Sequence, residues 1–180
     1  MAKKEINTDL WVNELLKEAK ISLTAQGCDI IEINNALKTA SKNGTGNIGY
    51  PEYCGVVKDY IIVIEDKADI SYHEKRNNDG NISLEQKDIK DYAINGAIYY
   101  AKHIINNTTY KKAIAIGVSG NEKRHRISPV YVDETEYYRE LDDVESFISF
   151  NEWNIDEYYI KEVLKESTDE EKETAEILKD

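Results

Sequence analysis

The sequence has 2 prolines, 1 methionine and 2 cysteines among its 180 residues. So little proline argues against an extended, proline-stiffened linker protein. Cys28 and Cys54 have no Cys or His partner at zinc-finger spacing and no histidine placed to activate a thiol. They read as reduced thiols of a cytoplasmic protein rather than as a disulfide framework, a metal site or a nucleophile. No apolar run approaches the ~18 residues of a membrane span, and no apolar stretch follows Met-Ala-Lys-Lys-Glu as a secretory signal would require. No membrane partner is therefore expected.

Charge is abundant: 32% of residues are charged, with a formal net charge of −12. It is unevenly spread, with −1 over residues 1–60, +2 over 61–132 and −13 over 133–180. An acidic chain is a poor non-specific polyanion binder, because that binding rests on phosphate neutralisation. The middle segment alone does not repel phosphates. The 41% apolar fraction suffices for one core, and the composition break near residue 135 suggests a domain over 1–135 followed, over 136–180, by an acidic helical extension or a linker toward a further domain.

Periodicity predicts helices over 9–25, 29–41 and 85–106, the last the longest, with Gly96 inside its apolar face as a close-packing position. Thr8 or Asp9 is a candidate cap for the first. Apolar or β-branched runs predict strands at 51–57, 60–66, 113–118 and 127–132, and Pro129 suggests that the last lies at a sheet edge. A wholly apolar strand after a long helix is the βαβ pattern of a sheet covered on both faces. Residues 41–49 and 69–85 read as polar loops, with His73 as a surface histidine, and 119–126 as a locally basic turn. The glycines of the first loop lack the strand and the Lys-Ser/Thr ending of a phosphate-binding loop.

The stretch of most chemical interest joins Pro51-Glu52 to Tyr60–Ile64 and then Glu65-Asp66-Lys67. A buried strand that ends in three charges places them at a sheet end or cleft, since isolated charges are costly in a core. Alternation puts Glu65 and Lys67 on one side and Asp66 on the other. A hairpin would bring Glu52 to the same end. Two carboxylates, with the Asp66 backbone carbonyl, suit a hard cation such as Mg²⁺, and Mn²⁺ is expected to substitute. Lys67 would then orient the attacking water or stabilise the phosphorus centre. The plainer alternative is a strand-end ion pair. Acid-x-Lys occurs five times in the sequence, but only Glu65–Lys67 closes an apolar strand with a Pro-Glu at hairpin distance. Glu14, in the first helix, is either a solvated carboxylate or an accessory acid.

Pro51-Glu52 with Glu65-Asp66-Lys67 resembles the PD-(D/E)xK nuclease motif, with Glu in place of the first Asp. Tyr92-Ala93-Ile94-Asn95-Gly96-Ala97-Ile98-Tyr99-Tyr100-Ala101 and Ser119-Gly120-Asn121 extend the resemblance. They are similar to the nuclease domains fused to N6-adenine DNA methyltransferases in type IIG-like restriction–modification enzymes. The likeness covers about residues 10–135. It implies a restriction-endonuclease-like α/β core, with a central mixed sheet of about 4–5 strands flanked by helices. It further implies Mg²⁺-dependent cleavage of double-stranded DNA, metal ligands at Glu52, Glu65 and the Asp66 carbonyl, a catalytic Lys67, and an accessory role for Glu14. Family members often carry Gln where Gly96 aligns. No Asn-Pro-Pro-Tyr methyltransferase motif occurs, so methyltransferase and target-recognition domains are expected elsewhere in the same or a partner chain. Two strand cuts need two active sites, which suggests a transient dimer on DNA. The rival readings are a non-catalytic interaction module with an acidic docking tail, and a repair or resolvase-type nuclease of the same fold.

Overall fold

The structure, a computed structural model, describes residues 3–41, 49–135 and 137–165. The glycine-rich part of the 41–49 loop and the end of the acidic extension expected over 136–180 lie outside the described residues.

The elements run α1 (Lys3–Ala19), β1 (Thr24–Ala25), α2 (Ile31–Leu37), β2 (Tyr53–Val57), β3 (Tyr60–Lys67), α3 (Gln86–Asp91), α4 (Ala93–Asn106), β4 (Lys112–Gly120), β5 (His125–Asp133), β6 (Tyr138–Glu140) and α5 (Ile155–Tyr158). The six strands form one sheet in the order β1-β2-β3-β4-β5-β6. Only β3 and β4 pair in parallel; all other neighbours are antiparallel. This is the expected α/β fold with a mixed sheet between helices, wider by β1 and β6. Both are too short to carry a periodic signal of their own.

Two apolar layers cover the sheet. Tyr60, Ile62 and Ile64 of β3, with Ile114, Ile116 and Val118 of β4, pack on Val12, Leu15, Leu16 and Ala19 of α1 and on Phe147, Phe150, Ile155 and Val163. Ile61, Val63, Ala113 and Ala115 point the other way, onto α2 and α4. The period-2 alternation of both central strands therefore assigns every later residue to a face. The segment after residue 137 contributes both a strand and core aromatics to the first layer.

Four local expectations are corrected. The helix expected over 85–106 breaks at Tyr92, which is extended (φ −117°, ψ 140°). The break lets α4 start against the sheet, where the Ile94 amide donates to the His73 carbonyl at 3.0 Å. The first helix starts before Thr8 and ends at Ala19, so neither Thr8 nor Asp9 caps it. Pro129 lies in β5 between β4 and β6. Its carbonyl accepts from Leu141 N at 3.1 Å, so its nitrogen faces the β6 side just past the end of that ladder (Val130↔Glu140) and no strand bond is forfeited. His73 is not a surface residue: it is 2% exposed.

Candidate metal centre and its surroundings

The charged end of β3 is where the candidate residues meet. β2 and β3 are the expected hairpin, with Tyr53 opposite Ile64 and Val57 opposite Tyr60, and Lys58 takes the left-handed turn conformation (φ 54°). This register carries Glu52, just before β2, alongside Glu65. The Glu52 amide donates to Glu65 Oε1 at 2.9 Å. Glu65 is buried at 2% exposure and faces α4. A side chain at Gly96 would meet Glu65 Oε2 at 3.3 Å and the Ile89 carbonyl at 2.8 Å. A glutamine would not fit at Gly96 without moving backbone.

Lys67 shares the Glu65 face, and its Nζ donates to the Lys90 carbonyl at 3.0 Å. Asp66 faces the opposite way, towards α1, and there it meets Asp9, the candidate helix cap. Ligand oxygens of Asp9, Glu52 and Asp66 lie within 4.8 Å of one another, the one such group of three among the described residues. Gln26 Nε2 donates to Glu52 Oε2 at 2.5 Å. Asp9 Oδ1 and Asp66 Oδ2 are buried and have no hydrogen-bond donor among the described residues.

This arrangement distorts the protonation of Asp66. Burial first, then the adjoining Asp9 carboxylate, then the charges of Glu52 and Glu65, hold Asp66 well above the usual carboxylate range. Like charges this close cannot all ionise without a cation or a shared proton between them. The donor set is all oxygen, which suits a hard divalent ion rather than a soft one.

Glu14 is exposed on α1. It lies two residues from the buried Val12 and from the buried Leu16, which on a helix is the opposite side. Asp9 is three residues before Val12 and seven before Leu16, on the buried face. An acid on the apolar face of a helix was the signal available in the sequence. The structure thus brings Glu52, Glu65, Asp66 and Lys67 to one strand end, and supplies Asp9 rather than Glu14 from α1.

Behind Lys67 sits a buried polar chain. Lys67 pairs with Ser119 across the parallel β3–β4 ladder. His73 Nδ1 lies 2.6 Å from Ser119 Oγ and its Nε2 2.7 Å from Ser128 Oγ. Ser128 Oγ donates to Asp143, so its one proton is used and Nε2 must be the protonated nitrogen of the ring. Burial and the Arg126 charge lower the His73 pKa to about 4. A cavity of about 580 Å³ lies at the far end of the sheet, lined by residues such as Asp59, Lys112 and Asp133. It is a strand's length from this chemistry. Cys28 and Cys54 are buried and free. No helix among the described residues is long and apolar enough to cross a membrane.

A mixed α/β sheet with acids and one lysine converging at the end of a central strand defines the class of protein as an α/β domain with a candidate metal site. No family model matches the chain, and no solved structure does. The chain is 37% identical over 181 residues to the "Type II restriction enzyme and methyltransferase RM.BcgI" of Heyndrickxia coagulans. The match takes in 99% of this chain and 28% of that protein's length. The chain thus spans little more than a quarter of that relative's length.

Proposed function

We propose that the chain is the DNA-cleaving domain of a restriction–modification enzyme, a divalent-metal-dependent endonuclease of the PD-(D/E)xK kind that hydrolyses phosphodiester bonds in double-stranded DNA. The observation that carries this reading is the convergence of Glu52, Glu65, Asp66 and Asp9 at one strand end, with two buried carboxylate oxygens lacking a donor. The similarity to a restriction enzyme and methyltransferase over the whole of this chain supports it.

Glu52 is the pivot. Its amide holds Glu65 in place, while its carboxylate belongs to the Asp9–Asp66 group. Glu52 and Glu65, with the Asp66 carbonyl, are the proposed ligands on the Lys67 side. The unpaired oxygens of Asp9 and Asp66 favour a second seat on the α1 side that shares Glu52. A bound Mg²⁺ or Mn²⁺ would acidify its water and shield phosphate charge. Lys67, already held by the Lys90 carbonyl, orients the water or the developing charge at phosphorus. Target recognition and methylation belong to other domains, in the same or a partner chain, and paired cuts come from transient dimerisation on DNA. The substrate implies a cytoplasmic setting.

The test is calorimetric titration of Mn²⁺ into the wild type and into Glu52→Gln, Glu65→Gln, Asp9→Asn and Asp66→Asn, with cleavage of a supercoiled plasmid measured in parallel. Loss of binding and of cleavage in Glu52→Gln is expected. The remaining three variants assign the cation to one side or the other. Metal binding and cleavage both unchanged in Glu52→Gln would sink the reading.

A further inference from the structure

The β4–β5 turn is a rigid tip beside the candidate centre. Gly120 turns the chain with φ 92°, and a side chain there would collide with the Arg124 carbonyl. Asn121 N donates to that carbonyl at 2.9 Å. Asn121 Oδ1 in turn accepts from the amides of Lys123 and Arg124, at 2.9 and 3.0 Å. Three contacts then fasten the tip to its neighbours. Thr8 Oγ1, in a buried position, donates to the Gly120 carbonyl at 2.7 Å. The rings of Trp11 and His125 lie 4.7 Å apart. His125 Nε2 sits 2.8 Å from Glu145. Thr8 directly precedes Asp9, and the β3–β4 register sets Asp66 beside Val118 and Lys67 beside Ser119. The tip is thus held at the sheet end that carries the acids.

The charges on this tip are not all alike. Arg126 is bound to Glu74 and Asp143 and is unavailable. Lys123 and Arg124 are exposed, and neither side chain makes an ion pair among the described residues. Glu122 is the opposing charge on the same turn. Arg124 also lines a cavity of about 380 Å³ with Asn7, Thr8, Asp69 and Asn121. Asp69 accepts from the amide and hydroxyl of Ser71 there. Two exposed cations on a preorganised turn, next to the side-chain amides of Asn7 and Asn121, fit the spaced negative charges of a nucleic-acid backbone.

We propose that the β4–β5 turn, through Arg124 and Lys123, grips backbone phosphates of duplex DNA next to the bond to be cut. The inference rests on the nuclease reading and adds to it the element that seats the strand. In a chain with a net charge of −12, such a local grip is the means by which a polyanion is held against an acidic centre. Phosphate contacts position a duplex without reading its sequence, which agrees with recognition residing in other domains.

The test is fluorescence anisotropy of a labelled 30-base-pair duplex across a salt series, in Ca²⁺ to suppress cleavage. Wild type is compared with Lys123→Ala/Arg124→Ala and with Lys58→Ala/Lys111→Ala, a control that removes the same charge at the opposite end of the sheet. The tip variant should bind about tenfold more weakly at low salt, and its log–log salt slope should fall by up to about 2, near 0.9 for each lost contact. Its melting temperature and its Mn²⁺ isotherm should match wild type. Binding by wild type with a tip variant no weaker than the control would overturn this inference and leave the nuclease reading standing. No duplex binding by wild type at all would overturn both.

Discussion

The Glu52 amide donates to Glu65 Oε1 across 2.9 Å. One hydrogen bond thus joins the entry of β2 to the charged end of β3 and fixes the carboxylate that the Glu-x-Lys pattern singles out. Charged acceptors of this kind contribute about 1.5–3 kcal/mol. Glu65→Gln keeps an acceptor for that amide, whereas Glu65→Ala leaves a donor unpaired. Glu65→Gln is therefore expected to melt within a few degrees of wild type while losing cleavage. Glu65→Ala is expected to lose cleavage together with about 1–3 kcal/mol of stability, read from urea unfolding. Equal stability in the two variants would show that the bond only fills space.

The Asp9–Asp66 contact predicts a trade between stability and metal affinity. Two half-buried carboxylates each hold one buried oxygen without a donor among the described residues, and Asp66 is held protonated by burial and by Asp9. A carboxyl whose folded pKa is raised stabilises most below its unfolded pKa and loses that contribution as pH rises through the folded value. At pH 8 and without metal, Asp66→Asn should therefore melt above wild type, by ~2–4 °C for each kcal/mol of relief. At pH 4 the two should converge. Mn²⁺ should raise the wild-type melting temperature at pH 8 and leave that of Asp66→Asn nearly unmoved. Scanning calorimetry at the two pH values, with and without Mn²⁺, checks all of this.

His73 gives the opposite pH dependence. Burial and Arg126 hold its pKa near 4, against about 6.5 in an unfolded chain. A depressed folded pKa means that its stabilising contribution is complete above about 6.5 and is lost as pH falls towards 4. The shift corresponds to roughly 3 kcal/mol. His73→Gln should be less stable than wild type at pH 7.5, because glutamine cannot bridge Ser119 and Ser128 in the same way. Its stability should also fall less steeply between pH 6.5 and pH 4. Parallel slopes in urea titrations over that range would refute the assignment.

The layered α/β fold was legible from apolar runs and their lengths, and the β2–β3 hairpin and parallel β3–β4 pairing follow from them. Glu52, Glu65 and Lys67 were legible because a strand's alternation is strict and the hairpin register is short. Asp9 was not, since it looks like a helix cap until the helix is known to begin earlier and to bury that face. Glu14 drew attention by its charge, although helical geometry turns it to solvent. The break at Tyr92 and the burial of His73 are tertiary effects: each depends on the 68–83 segment folding back over β4 and α4. Its anchors are the His73 serine contacts and the fully buried Asn95, which bonds Lys75 and Ser83. A polar composition gives no sign of such anchoring, because each anchor is one side chain whose partner lies far along the sequence.

Lys67 separates a catalytic strand end from a merely structural one. Its Nζ reaches the Lys90 carbonyl at an exposed position, where a hydrogen bond contributes about 1 kcal/mol or less. If Lys67 were only a tether between β3 and α3, Lys67→Met would cost about that much stability and nothing else. As the group that orients water or stabilises charge at phosphorus, its loss should lower single-turnover cleavage by about 10²–10³-fold. Mn²⁺ affinity should hold or rise, because a competing positive charge has gone. Lys67→Arg keeps the charge but not the compact ammonium, and should recover duplex binding without recovering full cleavage. Quench-flow cleavage of a labelled duplex, with Mn²⁺ titration and urea unfolding of the same variants, distinguishes the two cases. Cleavage by Lys67→Met within a few-fold of wild type would leave Glu65 and Lys67 as an ordinary strand terminus.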